Sequence, residues 1–474
     1  MDARPNFLLR LIGLGDLSGR GWRAHFTFWS MIGMTFFLFG DQNLTSPNLS
    51  RIGAEFGFTD KIEYQWYINS IVQLCFFLVG GAFSLAAGLW NDVWDRKRLM
   101  IASVILGELP CLLTAFAPSY GWFLFLRTLT GLGLGGIFPV IFSYLGDYFK
   151  AANRPVATGW ITLAMGMGIA VGQIMAGLLA EVEWAGMAGW RLSFIFMAAP
   201  AFPLVLAFYL FGERPERGRA DHEDLGLAPA VEAEPTGHAV SLKDFRVVLA
   251  SRTNIIAFLQ SVPGTIPWGF LFYFVVDYYE KTKGFKVTEG VLLTTVFGGT
   301  AIIGGFAGGY LGRLIYNARR EWLPLFCAAT VALGAVPTLA IVNYSGASIG
   351  PIIVIAALAG LITPMTGANI RAILITTNLP ENRGAVFGAY NLADDLGKGL
   401  GPFFIGLMLQ GFALFFAGMS TEEIQSITYN LAVSFWFLCG FVWIFMYWSM
   451  GPDEDAVKAE LRQRGAARDR SARM

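Results

Sequence analysis

"FTFWSMIGMTFFLFGDQNLTSPNL", residues 26 to 49, is a run in which Asp41 is the only charged side chain. A membrane-spanning helix needs about 20 predominantly apolar residues, so this stretch is long enough to cross a bilayer. It follows a polar and basic segment of 25 residues and has no small-residue cleavage site. It is also too long for the apolar core of a signal peptide, and we expect it to remain in the protein as a membrane anchor.

Similar runs continue along the whole chain of 474 residues, which is 55% hydrophobic and only 14% charged. This composition lies outside the range of soluble globular proteins. The runs are continuous, whereas strands of a membrane barrel alternate apolar and polar residues, so helices are predicted. The twelve predicted spans are residues 26–49, 65–88, 98–117, 121–145, 155–180, 190–211, 253–278, 288–312, 323–343, 348–370, 384–410 and 426–449.

The segment between spans six and seven divides them six and six. It begins "GERPERGRADHEDLGLAPAVEAEPTGHAV", which has almost nothing to bury and is typical of a flexible linker. "SLKDFRVVLASRTN" follows, where Ser241 could cap a short interfacial helix that has Leu242, Phe245, Val248 and Leu249 on one face. The predicted organisation is a tail (1–25), an N-terminal six-helix bundle (26–211), a linker with the interfacial helix (212–252), a C-terminal six-helix bundle (253–449) and a second tail (450–474).

The charges are distributed unequally between the two sides of the membrane. Of the 34 Lys and Arg, 26 lie in the tails and in the loops on their side, six lie on the opposite side and two lie inside spans. The positive-inside rule therefore predicts that both termini are cytoplasmic, in the cell (inner) membrane. The four Cys lie in or beside spans without paired spacing, so neither a disulfide framework nor a metal site is expected. We expect no cofactor, no nucleic-acid partner and a monomer.

The loop between spans two and three contains "GLWNDVWDRKR", residues 88 to 98. A glycine allows close helix contact, a carboxylate can bond a neighbouring helix N-terminus, and a cationic cluster can meet the anionic leaflet. The plainer alternative is a basic cytoplasmic turn. "GGYLGRLIYNARR", residues 308 to 320, follows span eight as a weaker copy in which Gly312 replaces the Asp. Asn153-Arg154 and Asn382-Arg383 also correspond, before spans five and eleven.

These motifs resemble the signature of the major facilitator superfamily, except that Val93 stands where a basic residue is usual and Asp95 where Gly is usual. The resemblance implies an all-α integral membrane fold of twelve transmembrane helices in two six-helix bundles, with alternating access to a central site. It also implies a gating motif formed by Gly88, Asp92, Arg96, Lys97, Arg98 and Arg313. Span five has the glycine spacing that this superfamily associates with antiport, although close helix packing alone explains it.

Two opposite charges lie at the same predicted depth. Asp41 is about 8 residues, or ~12 Å, from the outer end of span one, and Arg127 is about 6 residues, or ~9 Å, from the outer end of span four. We therefore expect them to face each other or to share a water-filled cavity. Arg127 in "LRTLTGLGLGG" also matches the superfamily's fourth-span motif, which implies proton or substrate coupling. The alternatives are a permanent ion pair and a structural arginine bonded to carbonyl groups.

A second charged group is "NLADDLGKG" in span eleven, where Lys398 can reach Asp394 or Asp395 and leaves one carboxylate over. In span seven, Pro263, Gly264 and Pro267 predict a broken helix beside a cavity. Polar and aromatic residues that could line that cavity, or else simply join helices, are Gln42, Asn43, Asn69, Gln73, Gln173, Gln260, Trp268, Tyr273, Thr366, Asn369, Tyr390 and Asn391.

The function we predict is a secondary transporter coupled to protons through Asp41 and Arg127. Phe39-Gly40-Asp41 and "PENRGAVFGAYNLADDLGKGLGP" (380 to 402) are similar to spinster-type transporters of lipids and related amphiphiles, although Gln42 stands where those transporters commonly have Arg. The expected partners are a small-molecule or lipid-like substrate, protons and the lipid bilayer. The alternative is a symporter of a small organic anion or sugar, with Arg127 binding the anion. An enzyme is disfavoured, because no metal or nucleophile constellation exists; a receptor without transport remains open.

Overall fold

The computed structural model describes residues 9, 12–59, 64, 67–68, 71–184, 186–227, 245–415 and 418–473. Within these ranges the N-terminal half contains α1 (Trp22–Gly40), α2 (Leu49–Glu55), α3 (Val72–Val93), α4 (Arg96–Thr114), α5 (Tyr120–Tyr148), α6 (Arg154–Leu179), α7 (Gly189–Ala198), α8 (Ala201–Phe211) and α9 (Arg219–Leu225). A short antiparallel hairpin, β1 (Glu183–Trp184) with β2 (Met187–Ala188), precedes α7.

The C-terminal half contains α10 (Phe245–Ala250), α11 (Arg252–Gly269), α12 (Val275–Lys281), α13 (Val287–Arg319), α14 (Trp322–Asn343), α15 (Ile349–Ile362), α16 (Met365–Thr376), α17 (Arg383–Phe415) and α18 (Thr421–Arg473). These helices follow the order of the twelve predicted spans. Eight stretches of the described residues are helical, long and apolar enough to cross a membrane. The other four predicted spans correspond to α1, α4, α11 with α12, and α17.

Within the described residues, spans one, six, seven and ten depart from a single regular helix. Span one leaves the α-helix at Gly40 and continues as a 3₁₀ turn, Asp41–Asn43. Spans six and ten are each divided in two, at Ala199 with Pro200 and at Thr363 with Pro364. The second residue of each pair is a proline, which lacks the N–H that a continuous helix would require.

The break expected at the prolines of span seven lies later in the chain. The α-helix α11 runs through Pro263 and Pro267 to Gly269, and only then does a π-helical turn, Phe270–Phe274, lead into α12. The indole N–H of Trp436 donates to the carbonyl of Gly264 at 2.9 Å, which satisfies a backbone acceptor in the proline-containing segment. The prolines of span seven therefore lie within an α-helix, and the irregular backbone follows them at Phe270–Phe274.

The glycines of span five pack α6 against α1, as expected. A Cβ atom at Gly168 would lie 2.2 Å from the carbonyl oxygen of Phe36, and one at Gly172 would lie 2.3 Å from that of Gly40. Such distances are possible only for glycine, because any larger side chain would overlap the backbone of α1. This contact positions the end of α1, where Asp41 follows.

The first part of the predicted linker is packed against the bundle, which corrects the expectation that it has nothing to bury. We call this end of the molecule the linker face; it contains residues 91–97 and 212–227. Arg217 donates to the carbonyls of Asp92 at 2.6 Å and Asn91 at 2.9 Å, and the Gly218 N–H donates to the Asp147 carboxylate at 2.7 Å. Hydrogen bonds to buried partners, rather than apolar contacts, order this polar segment.

The predicted interfacial helix corresponds to α10 in the described part of the structure. α10 begins at Phe245 and spans six residues, with Val248 buried and Leu249 exposed. The proposed cap, Ser241, lies with Leu242 outside the described residues, as does the remainder of the linker, residues 228–244.

Candidate functional site

The first site lies where α1 ends. Because the helix stops at Gly40, the carbonyls that follow lose their helical partners. One amino group of the Arg127 guanidinium, Nη2, donates to the carbonyl of Asp41 at 2.9 Å and to that of Gln42 at 3.3 Å. Gln73 also donates to the Gln42 carbonyl, at 3.4 Å. Arg127 is thus at the depth predicted from the sequence and bonds to backbone carbonyls.

The side chain of Asp41 faces a second carboxyl group. Asp41 and Glu108 are each 0% exposed, and their carboxyl groups lie close enough to interact, with the Cys111 thiol beside Asp41. A Cβ atom at Gly107, the residue before Glu108, would lie 2.5 Å from the Leu38 side chain, so α4 packs against the end of α1 at this level. Among the described residues, no other protein group donates to either carboxyl, and Nε and Nη1 of Arg127 have no acceptor. We call Asp41, Glu108, Cys111 and Arg127 the carboxyl cluster. It is closed to solvent in this conformation, and its arginine and carboxyl groups form no ion pair within 4 Å among the described residues.

Aromatic rings enclose the arginine of the cluster. The guanidinium carbon of Arg127 lies 5.1 Å from the ring centre of Phe76 and 5.5 Å from that of Phe194. A cation over an aromatic face is attracted by the ring quadrupole, which offsets part of the cost of burying the charge.

Glu108 is the residue that the sequence reasoning missed. It is a carboxylate inside the third predicted span, residues 98–117, and an ionisable residue within a span is by default a functional candidate. The sequence therefore already contained the feature that marks Glu108 as a functional candidate. Its partner could not be identified from the sequence, because depth along a helix does not tell which neighbouring helix a side chain faces.

The second site lies on α17. Lys398 contacts both carboxylates, Asp394 at 2.5 Å and Asp395 at 3.2 Å, so neither is left without a cation as we had expected. Asn391 donates to Asp395 at 2.9 Å, and Ser261 donates to Asp394 at 3.3 Å. We call these two aspartates with Lys398 the α17 triad. Its carboxylates have donors, and Lys398 remains 26% exposed.

Several of the other predicted cavity residues bond or pack within the helix bundles. Gln260 bonds the Ala257 carbonyl at 2.9 Å, and Asn369 bonds the Gly308 carbonyl at 3.0 Å. The ring of Trp268 packs against Phe297 and Trp436. Asn43 and Tyr390 are buried, whereas Gln173 and Thr366 are half-buried. The side chain of Tyr273, and Asn69 altogether, lie outside the described part of the structure.

The predicted gating motif joins the two halves at the linker face. The Asp92 carboxylate accepts hydrogen bonds from the backbone N–H groups of Gly384 at 2.9 Å and Ala385 at 2.8 Å, in the first turn of α17. These N–H groups have no helical partner of their own, and the helix dipole favours an anion there. A Cβ atom at Gly88 would lie 2.3 Å from the Gly384 carbonyl oxygen, so glycine is needed at this contact.

The basic residues of the motif point mainly inward, which corrects the expectation that the cluster meets the lipid leaflet. Arg96 is buried and pairs with Asp147, and Lys97 is buried and donates to the Gly212 carbonyl at 2.6 Å. Only Arg98 is largely exposed, at 82%. Asp95, which replaces the usual glycine, caps α4 by accepting from the N–H groups of Lys97 and Arg98. In the second copy, the half-buried Arg313 has no acceptor for its Nε within the described residues.

Comparison with known proteins identifies the family. The family model described as Major Facilitator Superfamily matches residues 31–402. The chain belongs to the major facilitator superfamily. The similar proteins are transporters rather than enzymes, and this member is a multi-pass membrane protein.

Two solved superfamily structures have the same fold. A bacterial homolog to the human lysosomal transporter Spinster, in an inward-facing and unoccupied conformation, is 19% identical; the match covers 92% of this chain and 99% of that chain, with a TM-score of 0.61. The proton:xylose symporter XylE bound to 6-bromo-6-deoxy-D-glucose is 14% identical; the match covers 89% and 95%, with a TM-score of 0.66. The expected fold of twelve helices in two bundles is confirmed.

A curated superfamily relative matches over a shorter stretch. The uncharacterized MFS-type transporter YybF of Bacillus subtilis is 34% identical over 101 residues, which is 21% of this chain. The match spans a quarter of the length of that relative, 25%.

One further contact on the linker face of this superfamily member was not foreseen. Asp221 of α9 pairs with Arg154 at 2.6 Å and with Arg383 at 2.7 Å. These are the two arginines that correspond between the halves in the sequence, one at the start of α6 and one at the start of α17. A single carboxylate on the linker therefore joins both halves.

Proposed function

We propose that this protein is a secondary active transporter, coupled to protons, that moves a lipid-like or amphiphilic organic solute by alternating access. The observation that carries the proposal is the carboxyl cluster, in which Asp41 and Arg127 meet inside the membrane without forming a closed ion pair. A purely structural contact between Asp41 and Arg127 would be stabilised by an ion pair. A group that exchanges protons must instead be free to change its charge.

Alternating access is supported by the way the halves meet at the linker face. Asp92 bonds the start of α17, Thr158 donates to the Ala368 carbonyl at 2.7 Å, and Arg154 donates to Thr376 at 3.2 Å. These contacts close one side of the bundle. The similar Spinster homolog was solved facing inward. Two arrangements of the same two halves are what a rocking mechanism requires.

Proton coupling follows from the cost of burying charge at the end of α1. A buried carboxylate is destabilised by loss of water and stabilised by a nearby cation. Both effects change when the cavity beside Asp41 opens, so its proton affinity would follow the conformation. Asp41 would then take up a proton on one side of the membrane and release it on the other, while Arg127 holds the turn at the end of α1.

The substrate proposal is supported by three features. The aromatic-x-Asp pattern at Phe39-Gly40-Asp41 resembles spinster-type transporters. Arg127 is fully buried between two rings, and its Nη2 is occupied by carbonyls, which disfavours the alternative in which it binds an organic anion. The partly exposed α17 triad has one more carboxylate than cations, so it could attract a cationic group of the substrate.

The orientation is part of the same proposal. We place both termini and the linker face in the cytoplasm and the protein in the inner membrane, as a monomer, because the basic loops lie on that side.

The test is uptake in proteoliposomes containing the full chain, with and without an imposed pH gradient. Fluorescent lysophosphatidylcholine probes the amphiphile class, and radiolabelled xylose and tartrate probe the alternative. We expect gradient-driven accumulation of the lysophospholipid in the wild type and its loss in Asp41→Asn. The exposed Asp224→Asn serves as control, and size-exclusion profiles verify folding. Gradient-driven uptake that is unchanged in a folded Asp41→Asn protein would overturn the coupling proposal; accumulation of xylose or tartrate instead would overturn the substrate class.

A further inference from the structure

Two intramembrane sites in this protein have the same charge composition, two carboxyl groups and one cation, but they differ in how those groups are satisfied. In the α17 triad, Lys398 contacts both carboxylates, and Asn391 and Ser261 donate further hydrogen bonds. In the carboxyl cluster, the buried Asp41 and Glu108 face each other, no protein group in the described residues donates to either carboxyl, and Arg127 directs its Nη2 to the backbone. Only the second arrangement leaves two acidic groups without a basic donor.

Two ionised carboxylates are unstable side by side in a buried site. Like charges repel, and burial penalises each charge further, so the pair is stable only when one group carries a proton that the other accepts. The oxygens of both groups are inaccessible to solvent, and no other protein N–H or O–H group in the described residues reaches them. Within the described part of the chain, the other titratable or charged groups that face the pair are the Cys111 thiol on α4 and Arg127 on α5.

Among the described residues, the neighbouring helices contribute no further charge that could replace the proton. α3 presents Gln73 and Phe76 to the end of α1 and to Arg127. α7 presents Phe194 and Met197 there. With one negative charge shared by the carboxyl pair and one positive charge on Arg127, the cluster is neutral. Loss of the proton would leave a net negative charge in a site whose side chains are inaccessible to solvent in this conformation.

We infer that Asp41 and Glu108 share a single proton, and that Glu108 is therefore the second half of the proton site. This inference rests on the proposed proton-coupled function and deepens it. When the cavity opens to water, the shared proton leaves as hydronium and both carboxylates are solvated beside Arg127. When the site closes again, one proton must return before the two groups can meet.

The test is infrared spectroscopy of the full chain in proteoliposomes, without substrate, as a function of pH. A protonated, buried carboxyl group has a C=O stretch that is separate from that of a carboxylate and shifts in D₂O. We expect this band in the wild type at neutral pH. We expect its loss in Glu108→Gln and equally in Asp41→Asn, because the one remaining carboxyl then ionises beside Arg127.

Asp395→Asn is the matched control, since it removes a carboxylate at a site where donors are present, and it should leave the band unchanged. Glu108→Asp retains a carboxyl and should restore the band, even if Glu108→Gln folds poorly. Absence of the band in the wild type, or its persistence in both Glu108→Gln and Asp41→Asn, would overturn the shared proton. Uptake by the wild type that does not depend on the pH gradient would instead overturn the proposed function. Failure of the shared proton and failure of proton coupling are therefore distinguishable.

Discussion

At the residue scale, Asp92 shows how one carboxylate can hold two bundles together. Its two oxygens accept from consecutive N–H groups of α17, and Asn91 donates to it at 3.3 Å. Hydrogen bonds to a charged group are worth about 1.5–3 kcal/mol each, more than neutral ones. Replacing the carboxylate by an amide removes the charge and leaves only one good acceptor for two donors.

We expect Asp92→Asn to raise the fraction of molecules open at the linker face by about tenfold or more, in line with a loss of 1.5–3 kcal/mol. The measurement is the rate at which a thiol reagent modifies Ser84→Cys in a background without the native cysteines, because Ser84 is buried where α3 meets Gly388. The control is Asp95→Asn, which also loses two N–H partners but within α4 of the same half. Equal labelling rates in Asp92→Asn and the unmodified background would contradict the prediction.

At the scale of elements, α9 lies in the segment that the sequence predicts to be a linker, and it connects the two halves. Asp221 is only 12% exposed, and the arginines of both halves contact it. Burial by itself raises the pKa of Asp221, but the guanidinium groups of Arg154 and Arg383 outweigh burial, so its pKa lies below the usual range. A carboxylate with a lowered pKa contributes its stabilisation fully above its ordinary pKa, and that contribution is lost only as the pH falls through the lowered value.

We therefore expect α9 to stay docked from neutral pH down to about pH 4, the ordinary pKa of an aspartate, and to detach only in stronger acid. Asp221→Asn should detach it at every pH. Hydrogen exchange of residues 219–225, corrected for the intrinsic pH dependence of exchange, measures this. Asp224→Asn on the same helix is the control, because Asp224 is exposed. Protection of α9 that is lost near neutral pH, or retained in Asp221→Asn, would show that contacts other than those of the Asp221 carboxylate dock the helix.

At the scale of the whole molecule, the halves approach each other through glycines as well as charges. Gly88 lies against the Gly384 carbonyl, and a Cβ atom at Gly309 would lie 2.4 Å from the Pro155 carbonyl oxygen. The two contacts lie in the repeated motifs after spans two and eight, where Gly308 corresponds to Gly88 and Gly309 is the next residue. The closed linker face therefore depends on backbone contact at two related places, which a methyl group would prevent.

We expect Gly88→Ala to shift the molecule toward the conformation open at the linker face, because overpacking such a contact costs about 1–3 kcal/mol. Spin labels at Arg98→Cys and Arg319→Cys, exposed positions in opposite halves, would report longer distances. Gly299→Ala on α13 is the control, since nothing lies within 4 Å of a Cβ atom built there. A distance distribution for Gly88→Ala identical to that of Gly299→Ala would contradict this account.

Sequence alone predicts the twelve spans, their division six and six, an acceptor role for Asp92 at a helix N-terminus and a common depth for Asp41 and Arg127. Length, hydropathy and rise per residue are properties of each segment alone, so they are readable without the fold. Only the tertiary structure decided that Asp41 meets Glu108, that Arg96 and Lys97 turn inward, and that Asp221 joins Arg154 to Arg383. These contacts depend on the rotation of each helix about its axis and on its neighbours, which packing determines.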